Sequence, residues 1–174
     1  HVPVHGGSLR VFLAHQGRQR AAPSVETMLA SERDAGLCSP ERYDRFSAAV
    51  SSLKSSLLEF LGGLKASGKR LAAYGAPAKG NTLLNSCGIG TQLLEFTVDR
   101  SPHKQGLYLP GSRLPVLAPE ALLERMPDCT LLLPWNIADE IVAQQQDYLL
   151  RGGAFAVPIP RVAMHPACAS PKQS

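Results

Sequence analysis

The residues best suited to chemistry lie in a turn flanked by two glycines near the middle of the chain. Four residues separate Gly75 from Gly80, and Lys79 stands directly before Gly80. With a strand before this turn and a helix after it, the free N–H groups of the helix start and the Lys79 ammonium can bind a phosphate. Gly75 allows the tight turn, and Gly80 allows close helix packing. The spacing is neither the dinucleotide-binding G-x-G-x-x-G nor a P-loop, so it predicts an anion site of modest specificity.

Two further side chains are expected at the same edge of the fold. Asp99 follows the second predicted strand, where doubly wound folds place a carboxylate that binds ribose. The alternative for Asp99 is a solvated strand end. Tyr74 closes the first predicted strand and either points to this edge or packs as a half-buried core aromatic.

The elements that must position these residues follow from alternating apolar runs and helical stretches after Lys69. We predict strands over residues 70–74, 95–98, 114–117, 129–133 and 154–157, and helices over 77–87, 119–126 and 136–150. Such an alternation indicates an α/β fold: a Rossmann-like, mostly parallel five-stranded sheet with helices on both faces.

A strand and a helical linker are predicted before this unit. The β-branched, apolar run over residues 8–14 follows Gly6-Gly7 and favours a strand. Ser24 is expected to cap a short helix, and a longer helix starts at Ser39-Pro40 and ends near Ser67-Gly68. Its apolar residues alternate at spacings of three and four, which is typical of a helix packed on a sheet or linking two domains.

Composition excludes several classes of function. The 18 Lys and Arg residues exceed the 14 Asp and Glu residues by four, but they are scattered and no aromatic residues are interleaved with them, so we expect no nucleic-acid partner. The four cysteines lie far apart without histidines at ligand spacing, so we expect no metal site. No apolar run reaches the length of a membrane span, and we predict a cytoplasmic protein without membrane contact.

Several stretches, in order along nearly the whole chain, carry a resemblance to one enzyme family. They are His5-Gly6-Gly7-Ser8-Leu9-Arg10, Ala73-Tyr74-Gly75-Ala76-Pro77-Ala78-Lys79-Gly80-Asn81, Asp99 with Lys104-Gln105-Gly106, Pro110-Gly111, Pro127-Asp128, Leu133-Pro134-Trp135-Asn136-Ile137, Glu140-Ile141 and Pro158-Ile159-Pro160. Together they resemble the carboxyl-terminal portion of S-adenosylmethionine-dependent sugar C-methyltransferases, which act on nucleotide-linked keto-deoxysugars.

The resemblance implies a division of the chain and a place for the cofactors. Residues 1–23 would end the preceding methyltransferase domain, 24–68 would form a helical connection, 69–165 the Rossmann-like domain and 166–174 a mobile tail. S-adenosylmethionine would be bound by the upstream domain, against which this portion packs, and zinc only by an amino-terminal module. Neither lies within this chain, so we expect the chain alone to be inactive.

The resemblance also implies residue roles in methylating a carbon next to a ketone. His5 would be the general base, because an imidazole with a pKa of about 6.5 accepts a proton near neutral pH. The nucleotide-linked sugar would be bound by Tyr74, Gly75, Lys79, Gly80, Asn81, Asp99 and Lys104. Trp135 and Asn136 would line the cleft, with core packing as the alternative for Trp135.

Two other classes of function remain open. A Rossmann-like module that binds NAD or coenzyme A without chemistry of its own explains the βα alternation equally well. A domain that only packs against a partner explains it too. Neither explains the His5-Gly6-Gly7 segment, which lies outside the predicted Rossmann unit and has no structural need for histidine.

Overall fold

The computed structural model describes Val2 and residues 7–165, and the chain divides into two compact units, His1–Ser51 and Ser52–Ser174. In the first unit, helix α1 (Pro23–Asp34) begins one residue before the predicted Ser24 cap, with Ala22 at the N-cap position. Helix α2 (Pro40–Ala66) starts in the first unit and ends in the second, with the predicted bounds. The predicted tail, 166–174, lies outside the described residues.

The strand predicted over residues 8–14 does not form, and that prediction was wrong. Ser8 makes one isolated antiparallel bridge to Val2, and the residues after it have no regular structure. Phe12 is 85% exposed and Leu13 is 93% exposed. Strand propensity reflects packing against neighbouring strands, and no strand among the described residues pairs with this segment.

The second unit is built on a six-stranded sheet in the order β3-β2-β1-β4-β5-β6. Its strands are β1 (Leu71–Tyr74), β2 (Thr97–Val98), β3 (Val116–Leu117), β4 (Cys129–Leu132), β5 (Ala154–Val157) and β6 (Ala163–Met164). The first five are parallel, and β6 runs antiparallel to β5. The predicted Rossmann-like, mostly parallel fold is confirmed. The sixth strand was not predicted because two residues carry no alternation signal.

Four helices connect these strands: α3 (Ala78–Cys87), α4 (Ala121–Arg125), α5 (Ala138–Gln144) and α6 (Gln146–Leu150). The single helix predicted over 136–150 is divided into a 3-10 turn (Trp135–Ile137), α5 and α6. The break lies at Gln145, whose φ of −111° is outside the helical range. Its neighbours are glutamines rather than proline or glycine, so the sequence carries no break signal there.

The sheet is buried on both faces, and β1 shows how. Leu71 and Ala73 belong to the core that includes Leu57 and Leu84, on the side of α2 and α3. Ala72 and Tyr74 belong to the opposite core, on the side of α4 to α6. This two-sided burial explains why the strand reads as a continuous apolar run, and it fixes the carboxyl end of β1 between two helical layers.

A buried tyrosine forms hydrogen bonds to β4 and β5. The Tyr148 hydroxyl lies 2.7 Å from Pro127 O, 2.9 Å from Thr130 Oγ1 and 3.3 Å from Ala154 O. Burial raises the pKa of Tyr148 to about 12.

Replacing Tyr148 by phenylalanine leaves buried polar groups unpaired, and we expect the free energy of unfolding to fall by about 1–3 kcal/mol in urea titrations.

Tyr43→Phe is the matched control, because the Tyr43 hydroxyl also donates to a carbonyl, Leu37 O at 2.7 Å, but is exposed. Because water can replace the Tyr43 hydrogen bond, the free energy of unfolding of this variant should fall by about 0.5 kcal/mol or less. Equal losses in the two variants would contradict the role assigned to the buried network.

Candidate functional site

The candidate site lies at the carboxyl ends of β1, β2 and β4, where the strand order reverses. The β1 strand pairs with β2 on one side and with β4 on the other, so connections leave it toward opposite halves of the sheet. Ligands of doubly wound folds bind in the crevice at such a switch point. A cleft of about 200 Å³ occupies this position, and Tyr74, Gly75, Asp99 and Lys104 are among the residues that line it.

Close packing against β4 determines the shape of the β1–α3 turn. Gly75 has a φ of +86°, and a Cβ atom on it would lie 2.8 Å from Pro134 Cδ. A Cβ on Gly80 would lie 2.6 Å from Leu133 Cβ. Only glycine fits at either position without displacing the segment after β4. The conformational roles predicted for the two glycines therefore agree with this geometry.

The start of α3 presents backbone donors toward this edge. Pro77 is its N-cap residue and supplies no side-chain hydrogen bond to the helix. The first intrahelical bond runs from Asn81 N to Pro77 O, at 3.0 Å. The earlier N–H groups of a helix have no intrahelical acceptor, and the helix dipole favours an anion there.

Lys79, Trp135 and Asn136 come together beside the start of α3. The Lys79 ammonium lies 4.4 Å from the centre of the Trp135 ring and contacts Asn136 Oδ1. Desolvation lowers the pKa of Lys79. None of the three is among the residues that line the cleft, so this cationic group borders it rather than forming its wall.

Asp99 is held by groups of the protein itself. Its Oδ2 accepts hydrogen bonds from Ala76 N at 2.6 Å and Lys104 Nζ at 3.4 Å, and its Oδ1 accepts one from Ser101 N at 2.8 Å. Lys104 Nζ also donates to Ala76 O at 3.0 Å. Both polar groups of Ala76 are thus bonded to this ion pair, whose Asp99 side chain is 13% exposed.

Two predicted residues carry buried oxygens without a hydrogen-bond partner among the described residues. These are the Tyr74 hydroxyl and Asn81 Oδ1. Burial raises the pKa of Tyr74, and the Arg100 charge and, to a smaller extent, the Gln145 side chain oppose this shift. The Gln145 side chain does not reach hydrogen-bonding geometry with the hydroxyl. Tyr74 is 3% exposed, so it is a fully buried core aromatic rather than the half-buried one considered as the alternative, and it also lines the cleft. Asn81 does not line the cleft.

Sequence reasoning missed several residues of the cleft wall, including Arg100, Ile137, Glu140 and Gln144. Arg100 Nη1 donates to Gln144 Oε1 at 3.2 Å, which joins the end of β2 to α5. Arg100 directly follows Asp99, so the argument used for a strand end could have found it. The α5 residues could not be found that way, because their approach depends on the packing of α5.

The proposed base, His5, lies outside the described residues. Among the residues that the structure describes, no group of three His, Cys, Asp or Glu side chains is placed to hold a metal ion. Within the same residues, no helix combines the length and apolar character needed to cross a bilayer.

Comparison with known proteins gives two matches. Residues 3–160 match the family described as C-methyltransferase C-terminal domain. The chain is also 42% identical over 158 residues to "C-methyltransferase NovU" of Streptomyces niveus, a match that covers 90% of this chain and 38% of that protein. The chain therefore spans well under half the length of this relative.

Proposed function

Because the chain belongs to the C-methyltransferase C-terminal domain family, we propose that it works within an S-adenosylmethionine-dependent C-methyltransferase as the part that binds a nucleotide-linked keto-deoxysugar. The observation that carries this proposal is the cleft at the strand-order switch point, bordered by an α3 start without a side-chain cap and by the Lys79 ammonium.

The distribution of charge supports a division of the ligand between two places. The cleft wall contains two cations, Arg100 and Lys104, and two anions, Asp99 and Glu140, so its formal charge is balanced. Lys79 and the α3 start add positive potential beside it. We therefore assign the diphosphate to Lys79 and the α3 turn with Gly75 and Gly80, and an uncharged part of the ligand to the cleft.

The other predicted residues differ in how they could contribute to ligand binding. Tyr74 lines the cleft, while its hydroxyl is buried and is satisfied by no described residue. Asn136 and Trp135 hold the Lys79 ammonium next to the α3 start. Asn81 lies in the first turn of α3, but its unsatisfied oxygen is buried and the residue does not line the cleft, so we assign it no contact with the sugar.

In the proposed reaction, this chain supplies the base and holds the acceptor. His5 takes the proton from the carbon next to the ketone, which leaves an enolate. S-adenosylmethionine on the upstream domain would supply the methyl group. The cleft of this chain does not fit that cofactor. Asp99 is the carboxylate that would accept hydrogen bonds from the cofactor's ribose hydroxyls, but it is bonded to Ala76 and Lys104.

The exposed apolar surface of the first unit supports the proposal that it packs against the upstream methyltransferase domain. Many large apolar side chains between residues 9 and 50 are exposed, and α1 has no buried residue. An apolar surface of this kind is typical of an interface. We assign residues 9–13 to contact with that domain. Equal hydrogen exchange of this segment in the 174-residue chain and in the full-length protein would contradict the assignment.

Replacing Lys79 by methionine tests the diphosphate assignment. The variant loses one charge at the α3 start, and we expect its affinity for a nucleoside diphosphate to fall about 10- to 150-fold, since a hydrogen bond to a charged group contributes about 1.5–3 kcal/mol. The affinity for the monophosphate should fall less. Calorimetric titration of the chain with nucleoside mono- and diphosphates measures both values, and nucleotide sugars and NAD are titrated beside them.

Lys65→Met is the control, because Lys65 is an exposed cation near the end of α2 that lies outside the cleft. It should leave all affinities unchanged. The proposal fails if no nucleotide binds, if NAD binds and nucleotide sugars do not, or if the two lysine variants lose affinity equally.

A further inference from the structure

The carboxylate at the end of β2 is bonded differently from the ribose-binding carboxylate of a dinucleotide fold. There, the carboxylate faces the ligand and accepts from ribose hydroxyls. Asp99 occupies the same place in the sheet, yet three protein donors, from Ala76, Ser101 and Lys104, are within 2.6–3.4 Å of its two oxygens. Most of its accepting capacity is therefore used inside the protein.

Lys104 is also committed to the protein. Its ammonium bonds both the Asp99 carboxylate and Ala76 O, at 3.4 and 3.0 Å. Ala76 N is at the same time the donor to Asp99 Oδ2. The Asp99–Lys104 pair thus bonds both the N–H and the carbonyl group of Ala76. Ala76 lies between Gly75 and Pro77, the N-cap residue of α3. We call this arrangement the Ala76 clasp.

Disturbing the clasp would move the ligand-facing turn. Ala76 is buried, and its neighbour Gly75 lies so close to Pro134 that an added Cβ would be 2.8 Å from Pro134 Cδ. If Asp99 turned toward a ribose hydroxyl, it would give up its ion pair with Lys104 and leave Ala76 N buried without a partner. Such an exchange is unfavourable, because buried polar groups without partners are strongly disfavoured.

We infer that Asp99 and Lys104 are positioning residues that hold the β1–α3 turn through Ala76 and contact neither the ribose nor the phosphates of the ligand. This inference rests on the proposed nucleotide-binding function and deepens it. Its consequence is a specificity: the site does not distinguish a ribonucleotide from its 2′-deoxy counterpart.

The first test needs no variant. Each of the four ribonucleoside diphosphates is titrated into the 174-residue chain beside its 2′-deoxy counterpart, followed by calorimetry and by the fluorescence of Trp135, the only tryptophan. For the base that binds, we expect the two dissociation constants to agree within about threefold. A larger preference for the ribonucleotide overturns the inference and leaves the proposed function standing, whereas the absence of any binding overturns both.

Variants then separate positioning from direct contact. Lys104→Met should lower the affinities for nucleoside mono- and diphosphates by the same factor, because a displaced turn affects both, and Lys104→Arg should restore part of the loss. Asp99→Asn should lower the affinities for ribo- and deoxyribonucleotides equally. A Lys104→Met loss that is concentrated in the diphosphate, as expected for Lys79→Met, overturns the inference, and so does an Asp99→Asn loss confined to ribonucleotides.

Discussion

Replacing His5 by alanine in the full-length protein is expected to lower the rate of methyl transfer by on the order of 100-fold or more. A positioned general base contributes about this factor, and no other group is assigned to remove the proton. The affinity for the nucleotide-linked sugar should stay nearly unchanged, because the proposed binding groups belong to the Rossmann-like unit. Single-turnover rates and equilibrium binding, measured on the same variant, separate the two effects.

The pH dependence gives a second check on His5. An imidazole acts as a base only when it is neutral, so kcat/KM should fall as the pH is lowered through the titration of this group. This acidic limb should disappear in His5→Ala, and added imidazole should recover part of the rate. His15→Ala is the matched control, because His15 is an exposed histidine ten residues further along the chain. An unchanged rate in His5→Ala removes the residue from the mechanism.

Replacing Gly80 by alanine should lower the free energy of unfolding by about 1–3 kcal/mol, the usual cost of overpacking a core. The new Cβ would lie 2.6 Å from Leu133 Cβ and 3.2 Å from Pro77 Cγ. Because the Leu133 contact joins α3 to the segment after β4, its relief requires the helix to move away from the sheet. Lys79, which precedes Gly80, would then lose its position over Trp135, so nucleotide affinity should fall as well.

Gly63→Ala provides a control with the opposite sign. Gly63 also lies in a helix, but a Cβ on it would meet nothing within 4 Å. Alanine is the better helix former by about 1 kcal/mol, so this variant should be as stable as the original chain or more stable. Urea midpoints measure both variants. A stable Gly80→Ala variant with full nucleotide affinity would contradict the packing argument.

These predictions describe one site with two kinds of support. Backbone packing sets the path of the turn, through Gly75 and Gly80 against the end of β4. Side-chain bonding then holds it, through the Ala76 clasp on one side and Lys79 with Asn136 on the other. Replacing Gly75 or Gly80 should therefore lower both the stability of the chain and its affinity for the nucleotide, whereas replacing Lys79 should lower mainly the affinity.

The sequence alone determined the elements around this site and their order. The five parallel strands were predicted because each is an apolar run between turn residues, and β1 and β5 were placed to within one residue. The start of α2 followed from Ser39-Pro40, a local signal. The roles of Gly75 and Gly80 in the turn were also predicted, because conformational freedom is a property of the residue itself.

Tertiary structure alone decided what the polar side chains bond to. Lys79 and Asn136 are separated by 57 residues in sequence, and Asp99 and Ala76 by 23, yet each pair is in contact. The same limit applies to residues 8–14, whose apolar pattern favours a strand that these described residues do not form. Propensity and spacing act over a few neighbouring residues, whereas pairing depends on which distant segments the fold brings together.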